Sequence, residues 1–140
     1  MIAIIIASHG LFSEELFKSS EMIFGKQTNV NTVTFLPGEG ISDLTTKYMN
    51  SIKSLNSEDG VLFIVDIFGG SPFNCASILA LENENIEVIT GANLPMLLEV
   101  FANKSSLSLK ELLTLAENSG KESIKKLIKS RNSNLEEDEL

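Results

Sequence analysis

The 140-residue sequence has one cysteine, one histidine, one tyrosine, three prolines and no tryptophan. A lone cysteine, Cys75, excludes an internal disulfide framework. One cysteine with one histidine cannot supply the usual ligand set of a zinc site either, and no metal or other cofactor is expected. Positive charge is also scarce, with 11 Lys and Arg against 19 Asp and Glu and a formal net charge of -8. That balance argues against a nucleic-acid binder, which needs clustered Lys and Arg to meet phosphates. The basic residues that do cluster, Lys121, Lys125, Lys126, Lys129 and Arg131, lie among acids and serines and read as a solvated face. No apolar run approaches the roughly 20 residues of a membrane span, and Met1 to Ala7 lacks the basic flank and the length of a signal peptide. A soluble, cytoplasmic protein of a single domain is expected, because this length suffices for one sizeable core.

What is present is an alternation of strand and helix patterns. Ile2 to Ala7 and Val61 to Val65 are continuous, mostly β-branched apolar runs, as expected of central strands covered on both faces. Val30 to Leu36 and Ile86 to Thr90 are interrupted by Asn31, Thr32, Thr34 and Glu87, which suits strands nearer the edges. Ser13 is a candidate cap for a helix with Glu14 and Glu15 in its first turn, Leu16, Phe17, Ile23 and Phe24 inward, and Gly25 at its end. A second helix, from about Ser42 to Leu55, places Leu44, Tyr48 and Ile52 at helical spacing. Ser71-Pro72 reads as a cap followed by proline at the first helical position, with the helix continuing from Phe73 to Leu81. Asn93-Leu94-Pro95 opens another to about Ala102, and Ser108 opens one with Leu109, Leu112, Leu113 and Leu115 apolar that stops near Gly120. Such alternation specifies an α/β domain with a mainly parallel sheet and right-handed crossovers. Glu122 to Lys129 fits helical spacing better than strict alternation. Residues 131–140, rich in Asn, Ser, Glu and Asp, are expected to be a disordered acidic tail beyond a domain of residues 1–130.

The chemistry converges on two strand ends. In an open α/β sheet, ligands bind beyond the carboxyl ends of the strands, where neighbouring connections leave in opposite directions. His9 ends the first strand within Ser8-His9-Gly10, and Asp66 ends the third within Asp66-Ile67-Phe68-Gly69-Gly70-Ser71-Pro72-Phe73-Asn74. A lone histidine more often packs than reacts, and an aspartate before glycine is often a turn residue. If those strands are neighbours, however, Asp66 can bond one imidazole nitrogen, orient the ring, and leave the lone pair of the other free to attack. Gly69 and Gly70 let the backbone approach closely, and the Ser71 hydroxyl with the helix N-terminal amides would favour an anion. There is no phosphate-binding Gly-x-x-x-x-Gly-Lys loop, no dinucleotide fingerprint and no acidic set for magnesium. A histidine with an anion cradle but no nucleotide site suggests a relay between phosphorylated molecules. Leu11, Phe12, Phe68 and Phe73 flank it and are candidates for an apolar docking rim, though packing is the better reading for Phe73.

Taken together, these residues resemble the IIA component of the mannose family (EIIA-Man) of the bacterial phosphoenolpyruvate-dependent sugar phosphotransferase system. The matching strings are Ile4-Ile5-Ile6-Ala7-Ser8-His9-Gly10, Phe35-Leu36-Pro37-Gly38-Glu39, Gly60-Val61-Leu62-Phe63-Ile64-Val65-Asp66, Gly69-Gly70-Ser71-Pro72-Phe73-Asn74 and Asn93-Leu94-Pro95-Met96-Leu97, within about Ile2 to Ser130. The resemblance implies a three-layer α/β fold with a four-stranded parallel sheet of order 2-1-3-4. It also implies a homodimer in which the segment aligned with Glu122 to Lys129 crosses to the partner as an antiparallel edge strand, which replaces the helical reading of that segment. By the same resemblance His9 is phosphorylated on the nitrogen remote from the backbone and Asp66 bonds the other nitrogen. Ser71 and the Gly70 amide match the phosphoryl-binding positions, and Gly10 is expected to bind the phosphoryl group with them. The group is implied to come from the phosphocarrier HPr and to go to a separate IIB component, which serves the membrane components IIC and IID.

Two other readings stay open on the residues. A phosphocarrier subunit for dihydroxyacetone kinase has a similar opening histidine motif, but the Gly-Gly-Ser-Pro-Phe-Asn and Asn-Leu-Pro-Met strings suit the sugar-transport branch better. A regulatory module switched by phosphorylation of His9 is the other. A histidine phosphatase is weaker, since Ser8 stands where such an enzyme needs arginine before its histidine.

Overall fold

Ile4 and Ile6 point to one side of the first strand and Ala3, Ile5 and Ala7 to the other, and all five are buried. In the computed structural model, which describes residues 1–130, that strand is accordingly interior. The elements run β1 (Ala3–His9), α1 (Phe12–Phe24), β2 (Val30–Phe35), α2 (Ile41–Ser54), β3 (Val61–Val65), α3 (Gly70–Glu82), β4 (Ile86–Ile89), α4 (Leu94–Asn103) and α5 (Leu109–Glu122). The sheet has four strands in the order β2-β1-β3-β4, each neighbouring pair parallel, as expected. Two cores flank it. One joins Ile2, Ile4, Ile6, Leu62 and Ile64 to Leu16 of α1, to Leu97 and Phe101 of α4 and to Leu112 of α5. The other joins Ala3, Ile5, Ala7, Phe63 and Val65 to Leu44 and Tyr48 of α2 and to Cys75 and Ala76 of α3. Each buried Ile or Phe side chain contributes roughly 1.5–3 kcal/mol through its transfer from water.

This topology fixes where a site can form. From β1 the chain leaves through α1 toward β2, and from β3 it leaves through α3 toward β4, so the connections diverge at the carboxyl ends of β1 and β3. A crevice opens where adjacent connections part, and His9 and Asp66 both stand there.

Several local expectations need correcting. Ser13 does not cap α1: the helix starts at Phe12, and Ser13 lies buried inside its first turn. The capping oxygen comes from the strand instead, because Ser8 Oγ accepts the Ser13 N–H at 2.7 Å while Ser13 Oγ donates to the Val33 carbonyl at 3.0 Å. Ile23 and Phe24 are exposed rather than inward. Only the edge of Phe24 reaches the core, 6.2 Å from the Phe101 ring centroid. Ser71 does not cap α3, whose cap position is Gly69, with no side-chain hydrogen bond. Asn93 and Ser108 do cap α4 and α5, by accepting the Met96 and Glu111 amides. α5 ends at Glu122, near Gly120 as expected, and Gly120 is buried there because Met96 packs so closely that a Cβ would meet its Cε at 2.7 Å.

The largest departure is at the end of the described chain. Residues 124–129 form neither helix nor strand. Ile124, Leu127 and Ile128 are exposed. The helical reading of this segment is therefore wrong for the single chain, and no antiparallel strand is added to β4 within it. The expected tail, residues 131–140, lies outside the described residues. Lys125, Lys126 and Lys129 are exposed, and Lys121 pairs with Glu117, so the described basic residues form a solvated face. No helix among the described residues is long and apolar enough to cross a membrane, and no group of His, Cys, Asp and Glu among them could hold a metal ion.

Candidate functional site

β1 ends in His9 and β3 is followed directly by Asp66, whose amide donates to the Ala7 carbonyl at 3.2 Å. That bond continues the β1–β3 ladder by one step and aims the carboxylate at His9. Asp66 Oδ2 accepts the His9 backbone N–H at 2.9 Å and lies 2.8 Å from His9 Nδ1. The other oxygen, Oδ1, accepts the Ile67 N–H at 3.0 Å. A carboxylate can only accept, so Nδ1 carries the ring proton and the lone pair of the neutral imidazole is on Nε2. The Asp66 side chain is 14% exposed while that of His9 is 46% exposed, which shields the anchor and presents the ring. The Phe35 ring meets the imidazole edge-on, with centroids 6.0 Å apart, and its carbonyl accepts the Gly10 N–H at 2.9 Å. The Gly10 amide is thereby committed to β2, and the residue's distinctive feature is its φ of 58°.

Gly70 approaches the other edge of the ring. A Cβ there would lie 3.1 Å from His9 Cε1 and 3.3 Å from Nε2, and its φ of 80° is one that residues with side chains rarely adopt. Two independent demands thus select glycine at this position. Gly69 also has positive φ, and α3 has neither a side-chain cap nor an acidic residue in its first turn. Its first amides remain open to an anion, which the partial positive charge of a helix N-terminus favours. Ser71 sits in that turn, half-buried. His9, Asp66 and Gly70 are therefore in direct contact, Ser71 is adjacent, and Gly10 borders the ring on the β2 side.

Leu11, Phe12 and Phe68 are exposed around this end of the sheet. Phe73 packs beneath Phe68, with ring centroids 4.5 Å apart, and against the α2–α3 core, in keeping with its packing role. Two further exposed apolar side chains, Leu36 and Ile67, escaped sequence reasoning. The available signal was their position, directly after Phe35 and Asp66 at strand ends. The β2–α2 turn carries a third feature that was missed. Lys47 Nζ donates to Glu39, as part of a 2.7 Å ion pair, and to the Thr34 carbonyl at 2.8 Å, and Glu39 accepts the Leu36 N–H at 2.7 Å. These bonds, first that from Lys47 and then that from Leu36, hold the Glu39 carboxyl below its ordinary pKa. A cavity of 960 Å³ lies at the amino ends of the strands beside Met1, Asp59 and Lys104, away from His9. His9 instead presents a half-exposed ring at the mouth of the strand-end crevice, an arrangement that suits contact with a macromolecule.

Residues 3–117 match the family model EIIA-man, described as PTS system fructose IIA component. The chain is 40% identical to the PTS system fructose-specific EIIA component of Bacillus subtilis over the full length of both. It is 45% identical over 127 residues to the PTS system mannose-specific EIIAB component of Escherichia coli; that match takes in 90% of this chain but spans only 39% of the longer relative. Among solved structures, the phosphotransferase system component EIIA from Streptococcus agalactiae superposes with a TM-score of 0.82 at 30% identity, covering 90% of this chain and 97% of the other.

Proposed function

The chain belongs to the EIIA-man family of phosphotransferase-system IIA components, and from that premise we propose that it is a cytoplasmic phosphoryl carrier for sugar uptake, with His9 as the carrier group. The observation that carries the reading is the division of labour on one ring: Asp66 holds Nδ1, and Nε2 faces the uncapped first turn of α3 across Gly70.

The Nε2 lone pair attacks the phosphorus of a phosphohistidine on HPr. As the new N–P bond forms, the donor's N–P bond breaks and its electron pair returns to the donor nitrogen. The His9 ring, still protonated at Nδ1, becomes cationic, and the Asp66 carboxylate stabilises that charge. Gly70 and Ser71 receive the phosphoryl oxygens. Attack by a nucleophile of a IIB component then breaks the Nε2–P bond and restores the neutral ring. Leu11, Phe12 and Phe68, joined by Leu36 and Ile67, form the apolar rim on which both partners dock, and IIC and IID complete the transport chain.

A homodimer fits the same reading. β4 keeps a free edge among the described residues, and a few residues beyond α5 stand Ile124, Leu127 and Ile128, uncovered. Exchange of this segment between two copies closes both edges and buries those side chains.

Incubation with enzyme I, HPr and phosphoenolpyruvate tests the assignment. One acid-labile phosphoryl group per chain is expected, transferable to a IIB component, with none on His9→Ala. Labelling that persists in His9→Ala overturns the assignment. Labelled wild type that no IIB protein discharges favours the regulatory reading instead.

A further inference from the structure

The turn that faces His9 begins without a side-chain cap of its own. Gly69 and Gly70 both have positive φ. Glycine gives the backbone its widest freedom, so bonds reaching this turn from other elements bear on where the first α3 amides sit. Among the described residues, the one side-chain bond to that turn comes from Tyr48 of α2, whose hydroxyl donates to the Pro72 carbonyl at 2.8 Å across the buried interface. Tyr48 is fully buried, and its ring meets Phe63 of β3 edge-on with centroids 4.8 Å apart. The phenol is thus fixed to the sheet at one end and to the α3 turn at the other. A buried phenylalanine would supply the same apolar packing; the hydroxyl adds only the Pro72 bond.

We infer that Tyr48 is a positioning residue for phosphoryl transfer, setting the first turn of α3 at its working distance from His9. The inference rests on the carrier reading above and deepens it. Tyr48 touches neither the phosphoryl group nor the imidazole; it acts through Pro72 on Gly70 and Ser71. Burial foremost, with Cys75 and Asp66 nearby, pushes its phenol well above the usual tyrosine range, so the donor stays protonated throughout the neutral range.

Tyr48→Phe tests this, since it removes one oxygen and leaves the ring. The expected result is a kcat for transfer from HPr lowered roughly fivefold to tenfold, the worth of one hydrogen bond, with KM unchanged and the loss uniform across neutral pH. The amide resonances of Gly70 and Ser71 should shift in the unphosphorylated protein. Ser108→Ala, which removes the cap of α5 far from the site, serves as a matched destabilised control and should keep the wild-type kcat. Wild-type kcat with unmoved Gly70 and Ser71 amides in Tyr48→Phe overturns the inference, as does an equal kcat loss in Ser108→Ala. Should Tyr48→Phe not fold, Phe63→Leu, which loosens the ring but keeps the hydroxyl, decides by the same amide shifts. If wild type accepts no phosphoryl group, the carrier reading falls by itself, and the amide shifts still report whether Tyr48 sets the turn.

Discussion

One oxygen of Asp66 bonds His9 twice, through the backbone N–H at 2.9 Å and through ring Nδ1 at 2.8 Å. The backbone bond places the carboxylate independently of the ring, so ring orientation follows from main-chain geometry. Asp66→Asn should therefore lose the charge that stabilises the cationic ring while preserving much of the placement. A hydrogen bond to a charged group is worth about 1.5–3 kcal/mol, which corresponds to roughly 10- to 100-fold in transfer rate. Stopped-flow transfer from HPr measures it, and a wild-type rate in Asp66→Asn would refute the electrostatic role.

Gly70→Ala should do two kinds of damage. Strain at φ 80° costs about 1–3 kcal/mol, and the added methyl would crowd His9 Cε1 and Nε2. Gly25→Ala is the comparison, because φ there is 109° and nothing lies within 4 Å of the added carbon. Both variants should melt earlier than wild type, yet only Gly70→Ala should lose phosphorylation. Equal phosphorylation of the two would sink the close-approach argument.

Glu39 gives a stability effect with a defined pH window. Its folded pKa lies below its ordinary value of 4.5, so its contribution is fully present above that value and is lost as pH falls through the lowered one. Glu39→Gln should unfold at lower urea than wild type at pH 7, and the two midpoints should draw together as pH falls through the lowered value, below which the carboxyl is protonated in both states. A gap of constant size across this range would argue against the ion pair as its source.

Phe68, 79% exposed, is the most exposed side chain of the rim. Phe68→Ser should raise the KM for HPr roughly tenfold, as expected for an aromatic contact worth over 1 kcal/mol. Spontaneous hydrolysis of the phosphohistidine should not change, because the Phe68 ring stacks on Phe73 while the imidazole edge meets Phe35. Unchanged KM would remove Phe68 from the docking surface.

Charges placed in the exposed segment after α5 should break the proposed dimer. Sedimentation of wild type is expected to give a dimer at micromolar concentration, and the double variant Ile124→Asp/Ile128→Asp a folded monomer. A monomeric wild type would end the exchange proposal.

Short-range pattern made most of the architecture legible. Continuous β-branched runs marked β1 and β3 as central, and Asn93 and Ser108 announced their helices, because burial on both faces and capping chemistry leave local traces. His9 and Asp66 were visible for a related reason, each a polar group at the end of an apolar run. Ser13 misled because a serine before two glutamates looks the same whether its own oxygen caps the helix or an oxygen from the preceding strand does. Ile23 and Phe24 misled because periodicity specifies a helix face but not how far the neighbouring helix extends beneath it.

The order and type of the elements through α5, the parallel sheet and the chemical identity of the two strand-end groups were written in the chain itself, since these depend on residues close in sequence. Packing in three dimensions was needed to show that one Asp66 oxygen holds His9 twice, that Gly70 sits against the free edge of the imidazole, and that Tyr48 reaches across to Pro72. Those contacts join residues far apart in sequence, and their distances come from the packing of helices on both faces of the sheet, which no local pattern encodes.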